Sequence, residues 1–258
     1  WNNLCSGCVS RTPACLQMCP FKALSVAGSN TETALETVTL PHAPEVIDVP
    51  PVDSFRRPPR LSLAIRGVGG QGNLFFGKVL AQVAFLAGYD DRNILKGETH
   101  GMAQMGGPVI STFGCGEVFS PALVPGTANV LIAMEKAEVL RPGFLDLLEP
   151  GGTVLMADTR ILPHGLKPEA YPSDEAIAAQ LEGYRVVSVD VLSIALNLGD
   201  PKGRCANVAM LGVLSTLPPF DVVPEAVWLQ ALRGISRKPA LWDLNHAAFM
   251  AGRGMQKG

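Results

Sequence analysis

The feature that most constrains the fold of this chain is a regular alternation of strand-like and helix-like runs that begins at Leu61. The strand-like runs are short and apolar, whereas the helix-like runs repeat apolar residues at intervals of three and four. Such alternation predicts an α/β fold, a mostly parallel sheet with helices on both faces. The predicted strands are LSLAIRG, PVISTFG, NVLIAME, GTVLMAD and RVVSVD. The predicted helices cover residues 73–89, 137–148, 173–181, 192–198, 207–217 and 224–234.

The amino-acid composition limits the classes of protein to which this chain can belong. The 258 residues are 47% hydrophobic, which is ample for a sizeable core. The net charge is −2, so the chain lacks the basic excess typical of proteins that bind nucleic acids. Its apolar runs are shorter than the roughly 20 residues that span a bilayer, and no signal-peptide pattern opens the chain. We therefore expect a cytoplasmic protein with neither nucleic acid nor membrane as a partner.

Three regions of different composition divide the chain. Residues 1–40 hold four closely spaced cysteines and are too short to build a core of their own. Residues 41–60 contain six prolines, which favour an extended, semi-rigid linker. Residues 61–258 hold the alternating pattern and form the predicted α/β domain. Because the chain starts at Trp1 without an initiating methionine, we interpret it as a segment of a longer polypeptide.

The first region carries Cys5, Cys8, Cys15 and Cys19 in a CxxC pattern followed, after six residues, by CxxxCP. Closely spaced cysteine thiolates on a loop are typical ligands of a 4Fe–4S cluster, and a CP ending is typical of ferredoxin half-modules. The six intervening residues exceed the two of the common ferredoxin pattern. A structural zinc site and disulfide bonds are the alternatives. We predict a small ferredoxin-like iron–sulfur segment, in which Cys19 completes this cluster or serves a second one.

The other two cysteines, Cys115 and Cys205, lie apart from this group and from each other. Each lies in a mostly apolar stretch of the sequence. A free cysteine in such surroundings behaves as a small hydrophobic residue. We therefore predict that both are ordinary buried thiols.

A glycine-rich turn, GVGGQG, follows the first predicted strand and precedes the first predicted helix. Gly67, Gly69 and Gly72 satisfy the G-x-G-x-x-G pattern of dinucleotide-binding folds, and Gly70 and Gln71 complete the turn. That pattern also needs an acidic residue about 20 positions later, at the end of the second strand. The acidic residues near that distance are Asp90, Asp91 and Glu98. None of them closes a strand typical of ribose binding, so the turn alone does not identify a nucleotide site.

The segment GETHGMAQMGGPV is too rich in glycine for a helix and lacks the alternation of a strand, so it is predicted to be a shaped loop. Glycines also allow another surface to approach the backbone closely. The candidate site residues of this loop are His100, Gly101, Met102, Gln104, Gly106 and Gly107. Two interpretations stay open: the loop satisfies its own polar groups, or it faces a substrate or a partner subunit.

Together, the motifs GVGGQG, LAGY, THGMAQMGG, NVLIAMEKAEVLR and NVAMLG resemble the gamma-type domain of 2-oxoacid:ferredoxin oxidoreductases. The resemblance runs from Leu61 to Gly252 and, within that family, is closest to the beta subunits that serve indolepyruvate oxidation. It implies a Rossmann-like fold and a place in a hetero-oligomer. The resemblance departs from the family pattern at Met105, where relatives carry a basic residue, and this leaves the particular 2-oxoacid undefined.

The resemblance also implies a chemical role. In that family, thiamine diphosphate on partner subunits decarboxylates a 2-oxoacid, the acyl group passes to coenzyme A, and electrons leave through 4Fe–4S clusters toward ferredoxin. This chain lacks the GDG and NN pattern that binds thiamine diphosphate, so the resemblance implies a subunit that is not active alone. It implies that the glycine turn and the following loop form a substrate or coenzyme A pocket or a subunit interface. The expected substrate is an aryl 2-oxoacid.

Two other functions are alternatives. A NAD(P)-dependent reductase would use the glycine turn to hold a pyrophosphate. A non-catalytic iron–sulfur or zinc module would use the cysteine segment for interaction alone. Binding of NADH by the isolated chain would favour the first alternative, and the iron, sulfide and zinc contents would separate the forms of the second.

Overall fold

The computed structural model of the protein describes residues 38–98, 107–162, 168–236 and 238–255. The four cysteines of the first region lie outside the described residues. The same holds for five of the six candidate residues in the loop after Glu98: His100, Gly101, Met102, Gln104 and Gly106.

A single six-stranded sheet forms the centre of the described part of the chain. Its strands are β1 (Arg60–Val68), β2 (Ile94–Glu98), β3 (Pro108–Gly116), β4 (Ala128–Ala133), β5 (Leu148–Ala157) and β6 (Arg185–Val189). Their order across the sheet is β2-β3-β1-β4-β5-β6. Strand β3 is antiparallel to both of its neighbours, whereas β1, β4, β5 and β6 are parallel. The predicted mostly parallel sheet and its five predicted strands are confirmed.

Six α-helices connect and cover these strands in the described part of the chain. They are α1 (Asn73–Leu86), α2 (Asp174–Gln180), α3 (Val191–Asn197), α4 (Ala206–Leu214), α5 (Glu225–Ile235) and α6 (Pro239–Gly254). Two begin at a side-chain cap, because Ser173 accepts a hydrogen bond from the Ala176 N–H and Asp190 accepts one from the Ser193 N–H. Five of the helices were predicted, and α6 was not.

The helix predicted over residues 137–148 is wrong. The structure has two short 3₁₀ turns instead, Lys136–Leu140 and Leu145–Leu147. Pro142 and Gly143 lie between them, and Gly143 has a φ of 78°, which is outside the helical region. Apolar residues at helical spacing misled the prediction, because proline and glycine interrupt the backbone there.

The sheet separates the core into two layers. Along β1, Leu63 and Ile65 pack on one face with residues of α1, α3, α4, α5 and α6. Ala64 packs on the other face with Phe144 and Ile177, which belong to a turn and to α2. The alternation of side chains along each strand produces these two layers. The first face carries most of the helices, so the sheet is covered unevenly.

Helices α4 and α6 lie unusually close together. A Cβ atom on Gly212 of α4 would meet the carbonyl oxygen of Phe249, and one on Gly252 of α6 would meet the carbonyl oxygen of Ala209. Each glycine therefore removes a steric barrier to the approach of the opposing backbone. The close contact holds α4 and α6 together, and residues of both helices line the pocket described below.

The proline-rich linker packs against the domain. The Ala43 N–H donates to Oδ1 of Asp243 at 2.8 Å, and Nε1 of Trp242 donates to the Pro44 carbonyl at 3.1 Å. The hydrogen bond from Ala43 lowers the pKa of Asp243. Further along, the hydroxyl of Tyr89 donates to the Pro58 carbonyl at 2.7 Å. The linker is thus attached to α6 and to the end of α1 before it enters β1.

Among the described helices, none is both long enough and apolar enough to cross a membrane.

Candidate functional site

The glycine turn connects the carboxyl end of β1 to α1. Gly70 and Gly72 have φ values of 99° and 85°, which L residues rarely adopt, so glycine is required at both positions. Gly72 is the N-cap of α1 and offers no side chain to cap the helix. The first N–H groups of α1 therefore have no partner within the helix and lie at the edge of the turn.

Three amides of the turn are used by the protein itself. The Gly69 N–H donates to the Gly107 carbonyl at 3.0 Å, and the Gln71 N–H donates to the Val68 carbonyl at 3.2 Å. The Val68 N–H donates to Oε1 of Gln71 at 2.8 Å. Nε2 of Gln71 donates to the Met134 carbonyl at 2.5 Å. A pyrophosphate would have to compete with these bonds for the amides of the turn.

Gly67 likewise serves internal packing. A Cβ atom at this position would lie 2.8 Å from Oε1 of Gln71 and 3.0 Å from Cβ of Met134. The space beside Gly67 is therefore filled by the side chain of Gln71. Moreover, β3 separates β2 from β1, so Glu98, at the end of β2, does not end a strand adjacent to β1. These features do not favour a dinucleotide cradle.

A pocket of about 490 Å³ opens beside the turn, at the carboxyl ends of the parallel strands. Binding sites of open α/β sheets commonly occupy this position. Its walls come from the glycine turn, from the segments that follow β4 and β5, from the first turns of α3 and α4, and from the first two turns of α6. The apolar part of the lining consists of Phe75, Met134, Ile161, Val191, Leu192, Val208 and Leu241. The polar part consists of Gln71, Thr159, Lys202, Arg204, Asn207 and Asn245.

Asn207 differs from the other amide residues of the pocket. It is 8% exposed, and its Oδ1 is buried without a hydrogen-bond partner. A Cβ atom on Gly72 would collide with its Nδ2, so the two residues touch across the pocket wall. Asn245, in contrast, donates from Nδ2 to Oγ of Ser236 at 2.8 Å. A buried unpaired acceptor costs about 1–3 kcal/mol, which indicates that Asn207 is kept for something other than stability.

The turn between α3 and α4 brings two cations to the pocket. Asp200 is buried, and its carboxylate accepts a hydrogen bond from the Cys205 N–H at 2.9 Å. The same carboxylate forms an ion pair with Nε of Arg204 at 3.4 Å. Gly203 has a φ of 62°, which allows the chain to reverse. Lys202 lines the pocket and is exposed, and among the described residues it has no ion-pair partner.

The opposite wall is held by a buried carboxyl group. Glu135 is 2% exposed, and it accepts hydrogen bonds from the Tyr171 hydroxyl and from the Ile161 N–H. Burial raises the pKa of Glu135, and these two bonds act in the other direction. Thr159 and Ile161 form the pocket wall at this point. Glu135 therefore positions that wall from behind.

The structure brings together only part of the predicted site. Gly70, Gln71 and Gly72 line the pocket, whereas Gly67, Gly69 and Gly107 lie behind it in the packed turn. Sequence reasoning missed the other functional candidates, which are Asp200, Lys202, Arg204, Asn207 and Glu135. Gly199 and Gly203, on either side of Lys202, were the sequence signal that could have indicated a turn there, and both adopt positive φ values in the structure.

The predicted buried thiols are confirmed. Cys115 and Cys205 are free and buried, and burial raises the pKa of each thiol to about 12. Neither thiol is therefore a reactive nucleophile. Within residues 38–98, 107–162, 168–236 and 238–255, no group of three or more His, Cys, Asp or Glu residues could hold a metal ion.

The chain is similar in sequence to known oxidoreductases. A family model described as pyruvate ferredoxin/flavodoxin oxidoreductase matches residues 62–255. The indolepyruvate oxidoreductase subunit IorB of Archaeoglobus fulgidus is 35% identical over 159 residues, which are 60% of this chain and 76% of the relative.

Two solved structures share the fold. Pyruvate oxidoreductase subunit PORC of Thermotoga maritima superposes with a TM-score of 0.57 at 20% identity, over 76% of this chain and 97% of that one. The 2-oxoglutarate:ferredoxin oxidoreductase of Magnetococcus marinus, with 2-oxoglutarate, coenzyme A and succinyl-CoA bound, superposes with a TM-score of 0.56 at 19% identity. In that case the match covers 78% of this chain and 32% of the other.

Proposed function

This chain belongs to the pyruvate ferredoxin/flavodoxin oxidoreductase family, and from that premise we propose that it is the gamma-type subunit of a 2-oxoacid:ferredoxin oxidoreductase. Its homologues are subunits of multi-subunit oxidoreductases, so the functional form is a hetero-oligomer. The chain contains no thiamine diphosphate motif. The decarboxylating step therefore takes place on partner subunits, and this chain contributes binding and electron transfer.

The observation that carries the finer proposal is the pocket beside the glycine turn. It combines an apolar floor with the uncapped start of α1 and the side chains of Lys202 and Arg204. An apolar cleft with few polar groups is the usual form of a small-molecule site. Coenzyme A has a thiol arm of low charge and a phosphorylated end, and it is bound in the Magnetococcus marinus enzyme. We assign the pocket of this chain to coenzyme A, as acceptor of the acyl group derived from an aryl 2-oxoacid.

Each wall of the pocket has a physical role in this assignment. Phe75, Ile161 and Leu192 exclude water from the apolar arm of the ligand. The N–H groups at the start of α1 and the cations of the α3–α4 turn attract its charged end. Gln71 keeps the turn rigid through its bonds to Val68 and Met134, so the start of α1 stays in place.

The cysteine segment supplies the proposed electron carrier. Cys5, Cys8, Cys15 and Cys19 are the ligand set for a 4Fe–4S cluster, on the grounds of their spacing and of the proline that follows the last of them. Such a cluster accepts and passes on one electron at a time. The proposed acceptor of these electrons is ferredoxin. Thiamine diphosphate belongs to the partner subunits.

The loop from Glu98 to Gly107 completes the proposed site. Its last residue, Gly107, accepts the hydrogen bond of the Gly69 N–H, so the end of the loop is attached to the glycine turn. His100 and Gln104 carry groups that can bind a carboxylate or an amide. Met102 and Met105 supply adaptable apolar surface. We assign this loop to the contact with a partner subunit or with the substrate.

Reconstitution tests the proposed function. The full chain is combined with the thiamine-diphosphate-binding subunit of the same enzyme, and reduction of ferredoxin or of a viologen dye is measured with an aryl 2-oxoacid. We expect turnover that requires both subunits, the acid and coenzyme A, with acyl-CoA as the product. Equal turnover without this chain, or without coenzyme A, would contradict the proposal.

A binding measurement addresses the reductase alternative. The closed glycine turn predicts that the chain does not bind NADH at concentrations where coenzyme A binds. NADH binding that is lost in a Gly70→Val variant would instead support a reductase. No atom lies within 4 Å of a Cβ atom added to Gly70, so the valine side chain would enter space that is open to a ligand, and the φ of 99° would strain the turn.

A further inference from the structure

Helix α1 is apolar on nearly every side. Ten of its 14 residues are apolar, and Lys78 is its only charged residue. One side packs into the core through Phe76 and Leu80. On another side, Leu74 is 48% exposed and Phe85 is 59% exposed. A helix that is apolar all round is typically covered all round, so the exposed side of α1 indicates a surface that another molecule covers.

The exposed side of α1 has the spacing of a helix-packing seam. The α1 seam consists of Leu74, Lys78, Ala81 and Phe85. Its members are four, three and four residues apart, so they lie along one face of the helix. This alternation of four and three is the pattern by which one helix packs against another. Large side chains stand at the two ends, and Ala81 leaves space between them for a close approach.

The α1 seam borders the outer strand β2. Gly77 adjoins the seam, because it lies three residues after Leu74 and four before Ala81. A Cβ atom on Gly77 would lie 3.6 Å from Cδ of Lys96 and 3.8 Å from Oε1 of Glu98. Strand β2 is an edge of the described sheet. A molecule that covers the seam can therefore also reach the edge of the sheet and the start of the loop after Glu98.

Lys78 determines which kind of molecule fits the seam. A second copy of this chain, packed through the same seam, would bring two Lys78 ammonium groups together, and α1 has no carboxylate to pair with them. A single lysine in a packing seam instead selects a partner that carries the opposite charge at the matching position. Homologues of this chain are subunits of oxidoreductases, so a different subunit is the fitting occupant.

We propose that the α1 seam is the docking surface for a helix of the thiamine-diphosphate-binding subunit. That helix presents apolar side chains to Leu74 and Phe85 and an aspartate or glutamate to Lys78. This inference rests on the proposed function, which supplies the identity of the partner. It adds a surface on the β2 side of α1 that is separate from the pocket, since none of the four seam residues lines that pocket.

The affinity of the full chain for the thiamine-diphosphate-binding subunit, measured by calorimetric titration, tests the proposal. Phe85→Ser should weaken binding at least about tenfold, because it removes a large apolar anchor, whereas Phe85→Leu should retain most of the affinity. Lys78→Glu should weaken binding at least about tenfold by opposing the partner's carboxylate, whereas Lys78→Arg should not. Thermal unfolding of each isolated variant should match that of the unaltered chain, because both side chains are exposed.

Phe119→Ser is the matched control. Phe119 is 97% exposed on the segment after β3, so the control removes the same side chain from another surface. That segment is bonded to the sheet where the Thr112 hydroxyl donates to the Pro121 carbonyl at 2.5 Å. Thr112 lies opposite Ala64, on the face of the sheet away from α1. Affinity for the partner subunit should not change in Phe119→Ser.

Three results would overturn the docking surface. One is unchanged affinity in both Phe85→Ser and Lys78→Glu, and full reconstituted turnover in those variants would leave the proposed function intact. Another is a dimer of the isolated chain that Phe85→Ser dissociates, which would make a second copy the occupant. The third is a lower unfolding temperature of isolated Phe85→Ser without a loss of affinity, which would mean that the chain covers the seam itself. If the unaltered chain neither binds the subunit nor supports turnover, the proposed function fails together with the docking surface.

Discussion

The side-chain amide of Gln71 joins the glycine turn to the end of β4, because its Nε2 donates to the carbonyl oxygen of Met134 at 2.5 Å. The same amide accepts the Val68 N–H through Oε1 at 2.8 Å. One side chain therefore fills the space beside Gly67, the first glycine of the pattern. In this chain the glycine pattern serves the packing of a rigid turn, and the pocket lies beside it.

Gln71→Glu should destabilise the protein. The new carboxylate can still accept the Val68 N–H, but it cannot donate to the Met134 carbonyl and lies next to that oxygen. We expect a loss of about 1–3 kcal/mol in the free energy of unfolding, measured by denaturant titration. Gln82→Glu is the control, because Gln82 is exposed on α1 and the same change there should be close to neutral. Equal losses in the two variants would refute the bridging role.

Gly252→Ala should damage the contact between α4 and α6. Its Cβ atom would meet the carbonyl oxygen of Ala209, and a backbone atom cannot move aside as a flexible side chain can. We expect the free energy of unfolding to fall by about 1–3 kcal/mol. Gly254→Ala lies in the same helix with no atom within 4 Å of the added Cβ. That control should be neutral or stabilising by up to about 1 kcal/mol, as alanine favours helix. Thermal unfolding that ranks the two variants in the reverse order would contradict the packing.

Tyr171→Phe should destabilise the pocket wall in a pH-dependent way. The hydroxyl of Tyr171 stabilises the charged form of Glu135, so its loss should cost about 1.5–3 kcal/mol where that carboxyl is ionised. Burial already raises the pKa of Glu135, so the folded state holds this proton more tightly than the unfolded state. Stability from this group therefore falls as the pH rises from the unfolded toward the folded pKa.

Removal of the hydroxyl raises the pKa of Glu135 further, so the cost of Tyr171→Phe is largest above the folded pKa and shrinks as the pH falls. Unfolding free energies over a pH series measure this cost. In a Glu135→Gln background there is no carboxyl to titrate, and the effect of Tyr171→Phe should no longer vary with pH over that range. A cost that keeps the same pH dependence in both backgrounds would assign it to another group.

Cys8→Ser should remove the proposed cluster. We expect the iron and sulfide contents to fall and the broad visible absorbance to be lost, because serine is a poor substitute for a thiolate ligand. Cys115→Ala is the control, since Cys115 is a free thiol inside the described fold and should leave the iron content unchanged. Zinc in place of iron in the unaltered chain, or full iron content in Cys8→Ser, would reject the assignment.

His100→Ala should lower the turnover of the assembled enzyme if the loop after β2 faces the substrate or a partner. We expect at least a tenfold loss, which is about 1.4 kcal/mol in the barrier, with iron content and thermal stability preserved. His42→Ala serves as the control, because His42 is exposed on the linker and contacts Asp243. Unchanged turnover in His100→Ala, or a fall that merely follows unfolding, would make the loop structural.

Much of the fold could be predicted from local patterns in the sequence. Apolar runs predicted five of the six strands of the described sheet and five of its six helices, because the hydrophobic spacing of an element is local to it. Helix α6 escaped because Pro239 at its start and the polar residues along its length obscured the apolar spacing. The helix over residues 137–148 was wrong, since Pro142 and Gly143 broke a pattern that apolar spacing alone suggested.

The sequence by itself determined the α/β class, the position of the glycine turn at the start of α1 and the family of the chain. Each of these depends on residues that lie in short contiguous segments. Only the tertiary structure decided what the turn is used for. It inserts β3 between β1 and β2, fills the turn with Gln71, and brings Asn207 against Gly72 across more than a hundred residues of chain. Those contacts depend on strand order and helix packing, which are set by burial of the whole core and not by any local run.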